Sequence, residues 1–236
     1  MKKTAVLAAL ILFACGGLAA FETTKTLSLP AESLQKLEIR AGAGFLEVSG
    51  REGLAAIEVK AEIVAKGVSD KDLEAYLKDR IELTLERKGD KAVLVSRVRE
   101  RFRLFSFGDD AVINLTVSVP KTMPLDIDDG SGSIVIEDVA GARIEDGSGS
   151  IRLSRVSGEV EIDDGSGGIE IDDVTGDVSV EDGSGEIDIR RVGGTVTVDD
   201  GSGSISIADV AKDVRIVNAG SGGLDIVGVK GRIIRR

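Results

Sequence analysis

A chain of 236 residues, 42% of them hydrophobic, carries enough apolar material for one large domain or two small ones with a core, which excludes a disordered polypeptide. Its net charge of −11 sets nucleic acid aside as a partner, because an acidic surface repels phosphate, and the lack of histidine removes every imidazole-based catalytic or zinc site. With 3% aromatic residues and 30 glycines, the core must be built from Ile, Val, Leu and Ala wound through many tight turns, a composition suited to β-structure.

Residues 1–20 read as an export signal: Lys2 and Lys3 precede an apolar run of roughly a dozen residues, too short to span a bilayer. Two processing routes are open. "LFAC", ending at Cys15, resembles a bacterial lipobox and makes Cys15 the site of lipid attachment, although Phe13 is bulkier than the usual residue there. Leu18-Ala19-Ala20 instead offers the small-residue site of ordinary signal peptidase, in which case Cys15 is discarded. Cys15 is the only cysteine, so the exported domain has no intramolecular disulfide and is held by packing.

Residues 21–124 are expected to form a strand-rich capping region with one helix. "LEIRAGAGFLEVSG" from Leu37 alternates around a glycine turn, and Ile57, Val59, Ala61 and Ile63 share one strand face. Near 69–80 the period changes to a helix: Ser69 suits the N-cap, Asp70 and Asp72 the first turn, and Leu73, Tyr76 and Leu77 form a stripe. "RIELTLERKGDKAVLVSRV" then reads as a hairpin turning at Gly89-Asp90, and "AVINLTVSVP" as a further strand before Pro120 and Pro124.

From Leu125 to the C-terminus, residues 125–236, the chain is periodic. Gly130, Gly147, Gly165, Gly183, Gly201 and Gly220 recur at intervals of 17, 18, 18, 18 and 19 residues, a spacing suited to one coil of a solenoid. Four positions after each stand Ile134, Ile151, Ile169, Ile187, Ile205 and Leu224; six after stand Ile136, Leu153, Ile171, Ile189, Ile207 and Ile226. Nine after stand Val139, Val156, Val174, Val192, Val210 and Val229. Gly141, Gly158, Gly176, Gly194 and Gly231 mark the opposite turn, with Lys212 as the exception. Each lap is therefore strand, turn, strand, turn, stacked about 4.8 Å from the next with alternate side chains inward. The outward position eight after each glycine reads Asp138, Arg155, Asp173, Arg191, Asp209, so in-register stacking sets opposite charges above one another. The template also fits "IRAGAGFLEV", with Leu46 and Val48 in the two inward files and Ile39 in the preceding one, an early lap interrupted by the helix and hairpin.

The recurrent "DDGSGS" phrase suits a corner: glycine accepts positive φ, the preceding Asp can bond nearby backbone N–H groups, and serine fills a tight bend. Asp129, Asp146, Asp164, Asp182 and Asp200 then form one ladder, and Asp128, Glu145, Asp163, Glu181 and Asp199 another. Like charges one lap apart repel, so backbone donors, solvent or calcium must offset them; a calcium ladder is the alternative to a purely structural corner. A phosphate loop is disfavoured, since these glycines lead into strands and lack the following Lys. No Ser-His-Asp or Cys-His arrangement exists, and the carboxylate pairs are too numerous to single one out. Arg97, Arg99, Arg101 and Arg103 alternate on one strand and lead to Phe105 and Phe107. They are either a solvated face paired with Glu82 and Glu86 or an anion-binding strip for lipid phosphates or an acidic glycan.

A signal peptide, then "LEIRAGAGFLEVSG", then repeated "DGSGSI" units resembles the bacterial putative-adhesin family of envelope proteins, whose repeats are similar to the head GIN domain of autotransporter-type adhesins. The resemblance implies an exported, non-enzymatic, adhesin-like protein with no catalytic residues. The expected architecture is all-β, a single-chain right-handed parallel β-solenoid fronted by the capping region. The expected function is binding or scaffolding through an extended face, in the periplasm or on the outer membrane or cell surface. The partner is an envelope ligand such as a glycan or anionic lipid, with membrane association by a lipid anchor and no transmembrane span in the mature chain. Alternatives are a calcium-dependent glycan-active β-helix enzyme and an envelope-stress sensing component.

Overall fold

The computed structural model describes residues 20–66, 73–99 and 111–235. The export signal with Cys15, the helix-start residues Ser69, Asp70 and Asp72, and Arg101, Arg103, Phe105 and Phe107 fall outside the described residues.

Two ten-stranded sheets face each other. The N-terminal elements are β1 (Ala20–Pro30), β2 (Lys36–Arg40), β3 (Leu46–Arg51), β4 (Ala56–Lys66), α1 (Leu73–Arg80), β5 (Ile81–Lys88), β6 (Lys91–Val98) and β7 (Ala111–Pro120). From β8 (Leu125–Asp129) and β9 (Gly132–Glu137), the chain alternates between the sheets. It continues through β10 (Ala142–Asp146), β11 (Gly149–Val156), β12 (Val160–Asp164), β13 (Ile169–Val174), β14 (Val178–Asp182) and β15 (Gly185–Val192). The last elements are β16 (Val196–Asp200), β17 (Gly203–Val210), β18 (Val214–Ala219), β19 (Leu224–Val227) and β20 (Ile233–Arg235). One sheet runs β1-β4-β7-β3-β9-β11-β13-β15-β17-β19 and the other β20-β18-β16-β14-β12-β10-β8-β2-β6-β5. The repeat is thus a parallel β-solenoid, as its period requires.

The inward files are continuous. Ile134, Ile151, Ile169, Ile187, Ile205 and Leu224 pair lap to lap, and Ile136, Leu153, Ile171, Ile189, Ile207 and Ile226 do the same two residues on. All but the last member of each file are buried, and each such side chain contributes roughly 1.5–3 kcal/mol. The early lap takes its expected place: Ile39 pairs with Ile127, Leu46 with Ile134 and Val48 with Ile136.

Between that lap and the repeat, the chain doubles back. β6 and β7 run parallel to β2 and β3 on the side away from β8 and β9, so they make a further lap outside the one written before them. β5 pairs with β6 in the expected hairpin, turning at Gly89 with φ +67°, while β1 and β4 extend the other sheet antiparallel. Phe21, Leu27, Leu29, Ile81 and Leu85 are buried at this end, and Tyr76 and Leu77 of α1 pack on the core. The solenoid is therefore closed at its N-terminal end.

Two corners differ from the sequence reading. The positive φ falls on the second glycine of five phrases, Gly132, Gly149, Gly167, Gly185 and Gly203, at 137–158°, and in the last phrase on the reference glycine Gly220 itself, at 57°. A Cβ on any of those five second glycines would lie 1.5–1.7 Å from the carbonyl oxygen of the glycine one lap earlier, so backbone contact between laps excludes a side chain as firmly as the dihedral does. The other left-handed bend has no glycine at its positive-φ position. Asp138, Arg155, Asp173, Arg191 and Asp209 all adopt φ of 54–60°, and register skips them, Ser154 pairing with Asp172 and Val156 with Val174. Strict alternation would point these charged residues inward; the left-handed step re-aims the chain so that the following valine enters the core. The step costs about 1–2 kcal/mol per residue, and the buried valine offsets it.

Gly167→Ala is expected to destabilise by several kcal/mol or to abolish folding, because the new methyl overlaps the Gly149 carbonyl. Gly168→Ala, whose nearest neighbour is 4.0 Å away, should change stability by less than about 0.5 kcal/mol. Urea unfolding of the two variants measures the contrast.

Candidate functional site

The corner shared by β8, β10, β12, β14 and β16 gathers the most chemistry. In "VEIDD" of β12, the period of two that puts Val160 and Ile162 inside also puts Asp164 inside and Asp163 outside. The same holds in the neighbouring strands, so Asp129, Asp146, Asp164, Asp182 and Asp200 stack in register as an inner file, each only 0–6% exposed. Ala219 follows Asp200 in register, which ends the file at its C-terminal end.

In four of the five carboxyls one oxygen has a clear task. Ser148 N–H donates to Asp146 Oδ1 (3.3 Å), Ser166 to Asp164 (3.2 Å), Ser184 to Asp182 (3.1 Å) and Ser202 to Asp200 (3.0 Å), the local bond expected of an Asp before a glycine turn. In the last lap Asn218 substitutes, accepting from Gly220 N–H at 3.1 Å. The other oxygen, Oδ2, is buried without a hydrogen-bond partner in all five aspartates. A charged oxygen in that setting is costly, which favours the protonated form of each aspartate. Burial, reinforced by the Asp146 charge, pushes Asp129 up to about 7; burial and the same neighbour push Asp164 up to about 6. Burial also raises Asp146, Asp182 and Asp200. Periodicity alone assigns this inward position, since each of these aspartates lies two residues after an inward Ile or Val.

The outer file, Asp128, Glu145, Asp163, Glu181 and Asp199, is also in register, bounded by Arg40 at one end and Asn218 at the other. Its like charges are relieved at the flank: Arg143 bonds both Glu145 (3.3 Å) and Glu161 of the next lap (3.0 Å), and Lys36 bonds Asp126. On the opposite sheet Arg152 reaches Glu170 (2.7 Å), and at the left-handed corner Arg155 bridges Asp138 and Glu137 while Lys121 joins Asp138 from below. The expected alternation of charges at that corner is realised between Asp138 and Arg155; Arg191 turns to Asp172 instead of Asp173. Each exposed pair contributes about 0.2–1 kcal/mol and fixes register more than stability.

Of the arginine strip, Arg97 stands opposite Glu82 across the hairpin, and Arg99 Nε lies 3.5 Å from the same carboxylate. Arg101 and Arg103 are outside the described residues. A shallow open groove lies on the outer face of β1, β4, β7 and β3, lined by Thr26, Ser28, Arg51, Glu58 and Thr116. Among the described residues no group of three or more acidic or thiol side chains is placed to hold a metal ion. No helix among them is long and apolar enough to cross a membrane.

These features define a two-sheet β-solenoid, closed at its N-terminal end, whose repeated element is an acidic glycine corner. The chain belongs to the Toastrack DUF4097 family, which matches residues 11–232. No curated protein matches it. Among solved structures it is similar to a putative adhesin from Bacteroides fragilis (11% identity, 91% of this chain and 97% of that chain covered, TM-score 0.46). A putative cell adhesion protein from Clostridium sporogenes is similar at 11% identity (91% and 99% covered, TM-score 0.42). A putative lipid binding protein from Parabacteroides distasonis is similar at 17% identity (90% and 94%, TM-score 0.36).

Because Asp129 and Asp164 bind protons more tightly in the fold than in the unfolded chain, their stabilisation is complete below about pH 4 and is lost as pH rises through about 6 to 7. Asp138 and Asp213, held below the usual carboxylate range by Arg155 and Arg232, work in the opposite sense and lose their contribution as pH falls below 4. Unfolding stability should therefore decline by about 2–4 kcal/mol between pH 5 and 8. The Asp129→Asn/Asp164→Asn double variant should flatten that slope in a thermal-melt series.

Proposed function

We propose that this is an exported, non-enzymatic cell-envelope protein that binds or scaffolds an extended ligand through the outer faces of its solenoid. The carrying observation is the outer acidic file: Asp128, Glu145, Asp163, Glu181 and Asp199 repeat one carboxylate per lap on a flat sheet, a geometry matched by a polymer with its own short repeat. Carboxylates at strand spacing accept hydrogen bonds from successive hydroxyls, so the ligand class on this reading is a glycan; many weak contacts add through multivalency. Anchoring follows from Cys15, acylated in the lipobox route, which places the solenoid at a membrane surface in the periplasm or outside the cell.

The shifted carboxylates support the non-enzymatic reading. They are five in number, buried and aligned, whereas general acid–base work on a glycan calls for one perturbed carboxyl in a cleft beside a second. The corners are structural on this reading: Oδ1 is taken by a serine N–H, and calcium asks for six to eight oxygens.

On a glycan array, the Glu145→Ser/Asp163→Ser/Glu181→Ser variant should bind at least about tenfold more weakly than the parent, with a melting temperature within a few degrees of it. Equal binding would overturn the acidic face as the site, and release of new reducing ends from a bound polysaccharide would replace the binding role by an enzymatic one. Millimolar calcium should leave the melting temperature unchanged; a rise of several degrees would favour the calcium-dependent alternative.

A further inference from the structure

The two ends of the solenoid are not alike. At the N-terminal end the files are covered by β1, β5 and α1. At the C-terminal end they stop in the open. Among the described residues β19 pairs only with β17, and β20 only with β18, so each presents there an unpaired row of backbone N–H and C=O groups. Leu224, Ile226 and Val229, the final members of the three apolar files, are only half-buried, while Val227 is 54% and Ile233 46% exposed. Ile233 continues the inward file of Val196 and Val214, and Arg235 takes the place that Val198 and Ile216 hold below it.

The charge at this end is opposite to the rest of the molecule. Residues 224–235 carry Lys230, Arg232 and Arg235 against the single acid Asp225, in a chain of net charge −11. Arg232 is tied to Asp213 of the lap below at 2.8 Å, but Lys230 and Arg235 form no ion pair among the described residues.

We propose that the open end made by β19 and β20 is a strand-addition site for an acidic, extended segment of another polypeptide. The exposed apolar files supply the contact area, the free strand edges supply main-chain hydrogen bonds, and Lys230 and Arg235 select negative side chains. Each feature discards a competing occupant. A bilayer cannot satisfy the unpaired backbone groups of two strand edges, so lipid is a poor fit for the end despite its positive charge. A second copy docked end to end brings three cations against three with one acid on each side, which like-charge repulsion opposes. An acidic strand continues the pattern already present one lap below, where Asp213 faces Arg232.

The chain contains a suitable probe. Residues 163–180 form a lap with six acids and no cation, and a synthetic peptide of that sequence is acidic, strand-forming and matched to the lap length. Titrated by NMR onto the full chain, it should perturb the amides of β19 and β20. Binding should weaken at least about tenfold for the same peptide with its acids changed to Asn and Gln, and for the Lys230→Glu/Arg235→Glu variant. Val227→Lys/Ile233→Lys should also lose the peptide. Because both side chains are already about half exposed at the end of the stack, that variant should melt within a few degrees of the parent, which separates lost docking from lost folding. Absence of binding up to millimolar peptide, or equal binding by the charge-reversed variant, overturns the proposal. So does phosphatidylglycerol vesicle binding that the same substitutions abolish, which assigns the end to membrane, or a concentration-dependent dimer that they abolish, which assigns it to a second copy.

Discussion

Every lap of this molecule lies against a near copy of itself, one strand spacing away. That constraint governs the rest, because a residue in the repeat must be compatible with its own duplicate directly above and below. Aliphatic side chains satisfy it without difficulty: an isoleucine beneath an isoleucine fills space, buries area and leaves no polar group behind. Glycine at the acidic corner is the extreme case, since carbonyl groups of successive laps approach so closely that no Cβ fits between them. Charges satisfy it only by alternating sign, by reaching sideways to a cation or by giving up the charge.

The two acidic files show the last two solutions side by side. Outside, Glu145 and its neighbours stay in water and share Arg143 with Glu161. Inside, one residue further along each strand, there is no cation and little solvent, so protons neutralise part of the file. The same "DD" or "ED" dipeptide thus carries two electrostatic roles, separated only by the pleat of the strand. A solvent-facing acidic file and a buried one, whose burial favours the protonated form, are built from adjacent residues.

Stacking also creates ends, and the chain treats them differently. A helix, a hairpin and two antiparallel strands cover the N-terminal files, while the C-terminal lap carries Lys230, Arg232 and Arg235 and, among the described residues, leaves strand edges unpaired. Inward or flanking cations of this kind discourage indiscriminate edge pairing while leaving a partner of opposite charge admissible.

Much was legible in the order of residues alone. The lap length, the inward isoleucine, leucine and valine files, the early lap at Ile39, Leu46 and Val48, and the hairpin at Gly89 all follow from local period and turn chemistry, which act over a few residues and need no knowledge of neighbours. The inward aim of Asp164 was legible by the same rule, from its place two after Ile162. Only the tertiary structure decided that β6 and β7 stack outside β2 and β3, that Asp173 and Arg155 take the left-handed corner, and that burial raises the proton affinity of the inner carboxyls. Those outcomes depend on which strand edge lies alongside, how closely two laps approach and how much water is displaced, and these are set by residues far apart in the chain.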